Sequence, residues 1–289
     1  MTILTVLLVL IVLVNGYFAA TFVSDLLKNK EEAIKEPGNP IAMAIAHFFI
    51  FMLSTFGISD FAISAAVYPK LKWVSDEKLP GTLNTQCVIP VAVMALLYIS
   101  SIDVDMKTLL IPIVAQVLGA YLSPRYVVKL PVNVIKKFVA AGLLVAAGLI
   151  LLGKFGFYPE GGAATSLSGF KLVLLGVLSF VYGAVNNIGI GSYALTSATV
   201  YALGLSPLVA FPIMMGACTF SVPVGSMQFI KLGGYSRKIT LSAAVFGSLG
   251  VLVAVFVVKS LDVAMLQWVV VAVVLFSAYQ MISSSRKAK

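Results

Sequence analysis

The stretch Leu172–Ile230, LVLLGVLSFVYGAVNNIGIGSYALTSATVYALGLSPLVAFPIMMGACTFSVPVGSMQFI, runs for 59 residues without an Asp, Glu, Lys or Arg. A membrane-spanning helix needs about 20 apolar residues, so this run holds more than one membrane segment. Its internal breaks, Asn186 to Ser192 and again Gly204, Ser206 and Pro207, divide it into Leu172 to Asn187, Ile188 to Leu203 and Pro207 to Ile230. Shorter charge-free runs extend from Met1 to Ser24, Pro37 to Ser59, Leu83 to Ile102, Thr108 to Pro124, Phe138 to Gly153, Ile239 to Val258 and Val263 to Ser285.

Composition agrees along the whole chain: 60% of the 289 residues are apolar and 11% charged, about half the charge of a water-soluble domain. The reading is an all-α integral membrane protein lying in a lipid bilayer, and soluble enzymes and nucleic-acid binders are excluded. The net charge of +9 sits mostly in short connections between apolar runs, where membrane topology calls for it. Cys87 and Cys218 are the two cysteines, without CxxC spacing or a histidine cluster, so neither a disulfide framework nor a metal site is expected. No cofactor is implied. Met1 to Ser24 lacks a basic leader and a small-residue cleavage site, and is read as a retained helix.

An internal repeat is visible. Val127, Val128, Lys129 and Val139 recur as Val257, Val258, Lys259 and Val269, an offset of 130; the cysteines lie 131 apart, and Val88-Ile89-Pro90 and Ser221-Val222-Pro223 lie 133 apart. Near-constant offsets over such a length indicate duplication. The predicted organisation is an extra N-terminal transmembrane helix (1–27), a cytoplasmic loop (28–39), a first repeat (40–153), an external linker (154–168), and a second repeat with a cytoplasmic tail (169–289).

Each repeat opens alike. Ile41 to Thr55 is followed by a break at Phe56 to Asp60 and a short piece, Phe61 to Tyr68; Leu172 to Val185 is followed by Asn186 to Ser192 and Tyr193 to Leu203. The short pieces hold 8 and 11 residues, too few to span at about 1.5 Å per residue. Each pair is therefore a re-entrant hairpin or one broken, tilted span. With hairpins, 16 of the 20 basic residues fall on one side, leaving Lys107, Lys154, Lys171 and Lys259 on the other, a bias that favours hairpins, an external N-terminus and a cytoplasmic C-terminus. The two repeats then have inverted topology, the arrangement in which many secondary transporters place a site at discontinuous helices.

Backbone groups left unpaired at a membrane-embedded break must be satisfied by protein, water or ligand, and helix starts there favour anions. The predicted substrate-binding residues are accordingly Gly57, Ser59, Asp60, Asn186, Asn187, Gly189, Gly191 and Ser192, with Thr82, Asn84, Thr85, Gln86, Thr219 and Ser221 as a second polar wall. The same glycines and polar groups also suit a tight turn that packs small against a neighbour. Asp60 has two readings, a proton or sodium relay or the N-cap of a helix beginning at Phe61. His47, the single histidine, is either a titrating coupling group or a neutral partner of a neighbouring helix. Cys87 and Cys218 read as small buried apolar residues.

At its breaks the chain resembles the TauE/SafE sulfite exporter family, also called the toluene sulfonate uptake permeases. Gly57-Ile58-Ser59-Asp60-Phe61 falls where that family has a glycine-rich break, Gly81-Thr82 matches its GT helix start, Asn187-Ile188-Gly189-Ile190-Gly191 corresponds in the second repeat, and Gly204-Leu205-Ser206-Pro207 is similar to its GLPP-like loop. Ser59 and Asp60 replace glycines. The resemblance implies a permease for a small sulfur-containing anion, such as sulfite, sulfoacetate or a sulfonate; as a secondary transporter of the cell membrane it is expected to couple to H+ or Na+, and a homodimer is the common default for an oligomer. A membrane-embedded enzyme or accessory protein, or an anion channel, is the alternative; the chain lacks HExxH, GxSxG and GxxxxGK[ST] signatures.

Overall fold

The computed structural model describes residues 3–122, 163–186, 192–260 and 263–287, with single positions between 137 and 155. The predicted span Phe138 to Gly153 and the linker 154–168 therefore lie partly outside the described residues, and Asn187, Gly189 and Gly191 wholly so. All regular elements among the described residues are helical: α1 (Ile3–Lys28), α2 (Lys30–Lys35), α3 (Pro40–Thr55), α4 (Asp60–Lys70), α5 (Leu79–Ile99), α6 (Met106–Leu122), α7 (Gly169–Asn186), α8 (Tyr193–Ala202), α9 (Pro207–Lys231), α10 (Arg237–Ser242), α11 (Ser248–Ser260) and α12 (Val263–Lys287), with a π-turn, Ala243–Gly247, joining α10 to α11. Four stretches among them, Ile3–Lys28, Leu79–Ile99, Pro207–Lys231 and Arg237–Val258, are long and apolar enough to cross a membrane, as in a multi-pass membrane protein. Helix α1 illustrates the pattern. It buries one stripe, Leu7, Ile11, Asn15, Phe18 and Phe22, and exposes apolar side chains such as Leu13 and Tyr17 around the rest of its surface, as a helix facing lipid does.

Contacts divide the chain into two compact units that interleave along the sequence. The first takes Met1–Thr55, Ser59–Ser100 and Cys218–Lys259; the second takes Phe56–Ile58, Ser101–Ala217 and Ser260–Lys289. In the first unit α3 packs on the π-turn and the start of α11, and in the second α6 packs on α7. Both pairings depend on glycine. A Cβ on Gly250 would intrude on the Phe48 carbonyl oxygen, and a Cβ on Gly119 would intrude on that of Phe180. Phe180 follows Phe48, and Gly250 follows Gly119, at the spacing that separates Cys87 from Cys218, to within one position. The two pairings thus place the same crossing at matched positions. One step along the crossing, Gly247 meets the Phe51 ring, and at the matched place Gly183 meets the Gln116 carbonyl. Small residues that let helix backbones touch are the usual means of packing helices without a hydrophobic gradient between them.

The turns that end the short helices repeat as well. After α4, the N–H groups of Leu71, Lys72 and Trp73 donate to the carbonyls of Val67, Pro69 and Tyr68; after α8, those of Leu203, Gly204 and Leu205 donate to Thr199, Tyr201 and Val200. Donor by donor and acceptor by acceptor, the second set is the first displaced by the spacing that relates Phe48 to Phe180. These are helix C-caps closed through a left-handed residue. In the second turn that residue is Gly204 at φ 91°, and in the first it is Lys72 at φ 54°. A side chain in that region costs about 1 kcal/mol, so Lys72→Gly should raise the thermal midpoint by the equivalent of roughly 1 kcal/mol. A lower midpoint for Lys72→Gly would mean that the lysine side chain contributes more than the strain removes.

Helix starts complete the local account. Ser59, extended at φ −60° and ψ 113°, caps α4 by accepting from the Ala62 N–H at 3.4 Å. Asn39 caps α3 through Ile41 and Ala42, and Asp105 caps α6 through Lys107 and Thr108. The Thr108 N–H, with the other donors around it, holds the Asp105 carboxyl below the usual carboxylate range. The reading of Asp60 as a cap of a helix beginning at Phe61 is thereby corrected. The helix begins at Asp60 itself, one residue earlier, because Ser59 supplies the capping oxygen.

Candidate functional site

The predicted site residues divide between the two units. Ser59, Asp60, Thr82, Asn84, Thr85, Gln86, Thr219, Ser221 and His47 belong to the first; Gly57, Asn186 and Ser192 belong to the second. Within the first unit a buried polar cluster forms where one face of α4 meets α3, α5 and α10. Asp60, Ser64 and Tyr68 follow one another at four-residue spacing, which places them on a single helical face, and all three are buried.

Hydrogen bonds join five side chains of this cluster in sequence. Ser242 of α10 meets His47 Nδ1 at 2.8 Å, His47 Nε2 meets the Tyr68 hydroxyl at 3.0 Å, Tyr68 donates to Gln86 Oε1, and Gln86 Nε2 donates to Ser64 at 3.0 Å. The chemistry of the groups orders the protons. An amide oxygen only accepts, so the Tyr68 proton points at Gln86 and His47 must donate from Nε2; His47 is fully buried with no ion pair among the described residues, where an imidazolium is costly, so it is neutral and its Nδ1 accepts from Ser242. The imidazole is held as one neutral tautomer, edge-on to Tyr68 and tilted over Trp73. His47 is thus a partner of neighbouring helices in this conformation.

Asp60 lies beside this chain. Its residue is 2% exposed, Oδ1 accepts from the Ser54 hydroxyl at 3.2 Å, and Oδ2 has no hydrogen-bond partner. An unpaired buried carboxylate oxygen is costly, and such exceptions call for a reason.

Other predicted residues have structural work. Thr82 donates to the Lys78 carbonyl and accepts from the Ser236 N–H, and Thr85 bonds Thr240 at 2.7 Å, so this wall ties α5 to α10. Thr219 takes the Asn15 amide on both its carbonyl and its hydroxyl, at 3.2 and 2.9 Å. Asn84 bonds the Pro80 carbonyl of its own helix, and Ser221 bonds that of Cys218. Cys87 and Cys218 are buried thiols outside any disulfide. The second unit holds Ser192, buried and accepting from Gln116 Nε2 at 3.1 Å, and a further bond at 2.5 Å between Tyr182 and Thr199. Gly57 turns at φ 95° with Val273 at 3.6 Å from where a Cβ would stand. Asn186 ends α7.

Several polar residues of these clusters escape a reading of the sequence alone: Asn15, Ser54, Ser64, Tyr68, Gln116, Thr240 and Ser242. Asn15 and Gln116 carry a clear signal, an amide in the middle of an otherwise apolar run. The others are small hydroxyls or an aromatic whose role depends on distant partners.

A second charged group closes one end of the first unit. Arg237, with a side chain 6% exposed, holds Asp25 of α1 at 2.7 Å and Glu32 of α2 at 3.5 Å. Tyr235 donates to Asp25 at 2.6 Å, and Glu36 accepts from the Ser236 hydroxyl and from the N–H groups of Arg237 and Lys238 at the start of α10. Burial first, then the adjacent Asp25 carboxylate, pushes the Tyr235 phenol above its ordinary range, so it remains a donor. Comparison with family models, curated proteins and solved structures finds no match to this chain.

Proposed function

We propose that the chain is a secondary transporter that moves a small sulfur-containing anion, such as sulfite, sulfoacetate or a sulfonate, across the cytoplasmic membrane by alternating access, with H+ or Na+ as the coupling ion. In this reading residues 40–153 and 169–289 are repeats of inverted topology, each opening with a broken helical hairpin, and the N-terminus is external and the C-terminus cytoplasmic. The observation that carries the reading is the recurrence, at one spacing to within a single position, of the same glycine crossing and the same three-bond turn after a short helix. Duplicated halves with discontinuous helices in matching places are the architecture of alternating access. The resemblance of the breaks to the TauE/SafE family supplies the substrate class, and the bias of lysine and arginine supplies the orientation.

The test is flux in proteoliposomes and thermal shift over sulfite, thiosulfate, sulfoacetate, taurine and sulfate, with acetate as control. A sulfur anion should both stabilise the protein and exchange across the membrane with saturable kinetics. Current without exchange between substrates would instead identify a channel, and no response to any of the panel would withdraw the sulfur anion.

A further inference from the structure

We propose that Asp60 is the proton-carrying group of this chain, and hence that the coupling ion is H+ rather than Na+; this second clause rests on the transport reading above. Tyr68 gives its proton to Gln86, Gln86 gives its amide hydrogen to Ser64, and His47 gives its Nε2 hydrogen to Tyr68. Tyr68, Gln86 and His47 thus each aim a hydrogen at a neighbour in the chain rather than at Asp60, and no donor on this face of α4 reaches Oδ2. Among the side chains of the described residues only Ser54 donates to Asp60, on Oδ1. The N–H groups of Asp60 and Phe61, at the start of α4, lie near the carboxyl without completing a bond to Oδ2.

Oδ2 is left buried with nothing to accept from, and no lysine or arginine pairs with the carboxyl among the ion pairs of the described residues. The titratable groups facing it are Tyr68 on its own helix and Cys87 on α5, with Cys218 of α9 next to Cys87. His47 of α3 stands beyond Tyr68, neutral in the bonding just described. None of these is a cation. An ionised carboxylate in such a place has neither a counter-charge nor sufficient donors. A carboxylic acid with its proton on Oδ2 removes the unpaired charge, and Oδ1 still accepts from Ser54 as a neutral carbonyl does. The step is a simple binding equilibrium: one proton joins Oδ2 when the group is sealed from water and leaves it, with no other bond changed, when water reaches the carboxylate.

The second repeat sharpens the point. Ser192 is the counterpart of Asp60 at the spacing that relates the two turns, and there the Gln116 amide donates to a hydroxyl. The matched position thus carries no ionisable group, so of the two breaks only the first holds a carboxyl. A neutral Asp60 also removes the repulsion that a carboxylate would exert on an anionic substrate.

The experiment uses the full chain in two arms. In the first, infrared difference spectra of wild type and Asp60→Asn near neutral pH should contain the C=O band of a protonated carboxyl, lost in the variant and shifted in frequency by Ser54→Ala, which removes the hydroxyl on Oδ1. A spectrum without that band, or a band that Asp60→Asn leaves in place, overturns the proposal whether or not any substrate is transported. In the second arm, the ratio of net sulfite flux with and without a pH gradient should exceed one in wild type and fall to one in Asp60→Asn; a ratio that the substitution leaves unchanged overturns the carrier. Acceleration of wild type by a sodium gradient alone overturns the choice of H+. A protonated band in a protein that moves none of the sulfur anions upholds the carrier and defeats the transport reading instead.

Discussion

Leucine at Gly250 or at Gly119 should leave little folded protein to purify. At both positions the obstacle to a side chain is a backbone carbonyl, that of Phe48 or Phe180, and no rotamer change can move it aside. Relief requires the helices to separate along their crossing, which also strips the neighbouring contacts of Gly247 on Phe51 or Gly183 on Gln116. The expected loss is about 3 kcal/mol or more, at or beyond the upper end of overpacking penalties. Gly16 and Gly225, around which a Cβ would find open space, are the controls. Leucine there should give a normal monodisperse peak and an unchanged thermal midpoint in detergent. If Gly250→Leu migrates and melts as wild type does, the close crossing of α3 and α11 is not what holds the first unit together.

Arg237→Met is the second substitution with a large expected effect. The guanidinium reaches Asp25 through both Nε and Nη2, at 2.7 and 3.4 Å, and lies over the Tyr235 ring at 5.5 Å. Methionine replaces the stem and leaves Asp25 with only the Tyr235 hydroxyl and the Asn29 amide. Removing one member of a buried pair costs about 3–5 kcal/mol; because the Asp25 side chain keeps 18% exposure, the lower end of that range applies. Arg237→Lys should recover little, since an ammonium cannot reproduce the two-pronged geometry. The double variant Arg237→Met with Asp25→Leu removes the orphaned charge together with its partner and should melt above the single variant. A double variant no more stable than Arg237→Met alone would assign the loss to packing of the arginine stem.

How far the sequence carried depends on which interactions are local. The breaks after Thr55 and Asn186 are written in the chain because apolar runs stop there, and the repeat is written in the spacing of Val88-Ile89-Pro90 and Ser221-Val222-Pro223. Helix starts are legible only to within a residue. Ser59 and Asp60 are adjacent and both favoured caps, and the backbone conformation of Ser59 decides between them. Partnerships across the chain are not legible at all. Nothing near His47 signals that Ser242 faces it, and nothing near Thr219 signals Asn15, because such bonds are fixed by helix packing rather than by neighbours in sequence. The predicted second polar wall turns out to include hydroxyls, Thr82 and Thr219, that are already hydrogen-bonded to Ser236 and Asn15.

The interleaving of the two units also sets a timetable for biosynthesis. Phe48 meets a glycine, Gly250, that is polymerised much later. At about 5–20 residues per second the delay is roughly 10–40 s. Phe180 finds Gly119 already made. Helix α3 must therefore wait with His47 lacking its Ser242 partner, whereas α7 can dock on α6 as it emerges. Quality control of this protein should act on the earlier helices, and a chain interrupted before Gly250 should be recognised and degraded with α3 still unpaired.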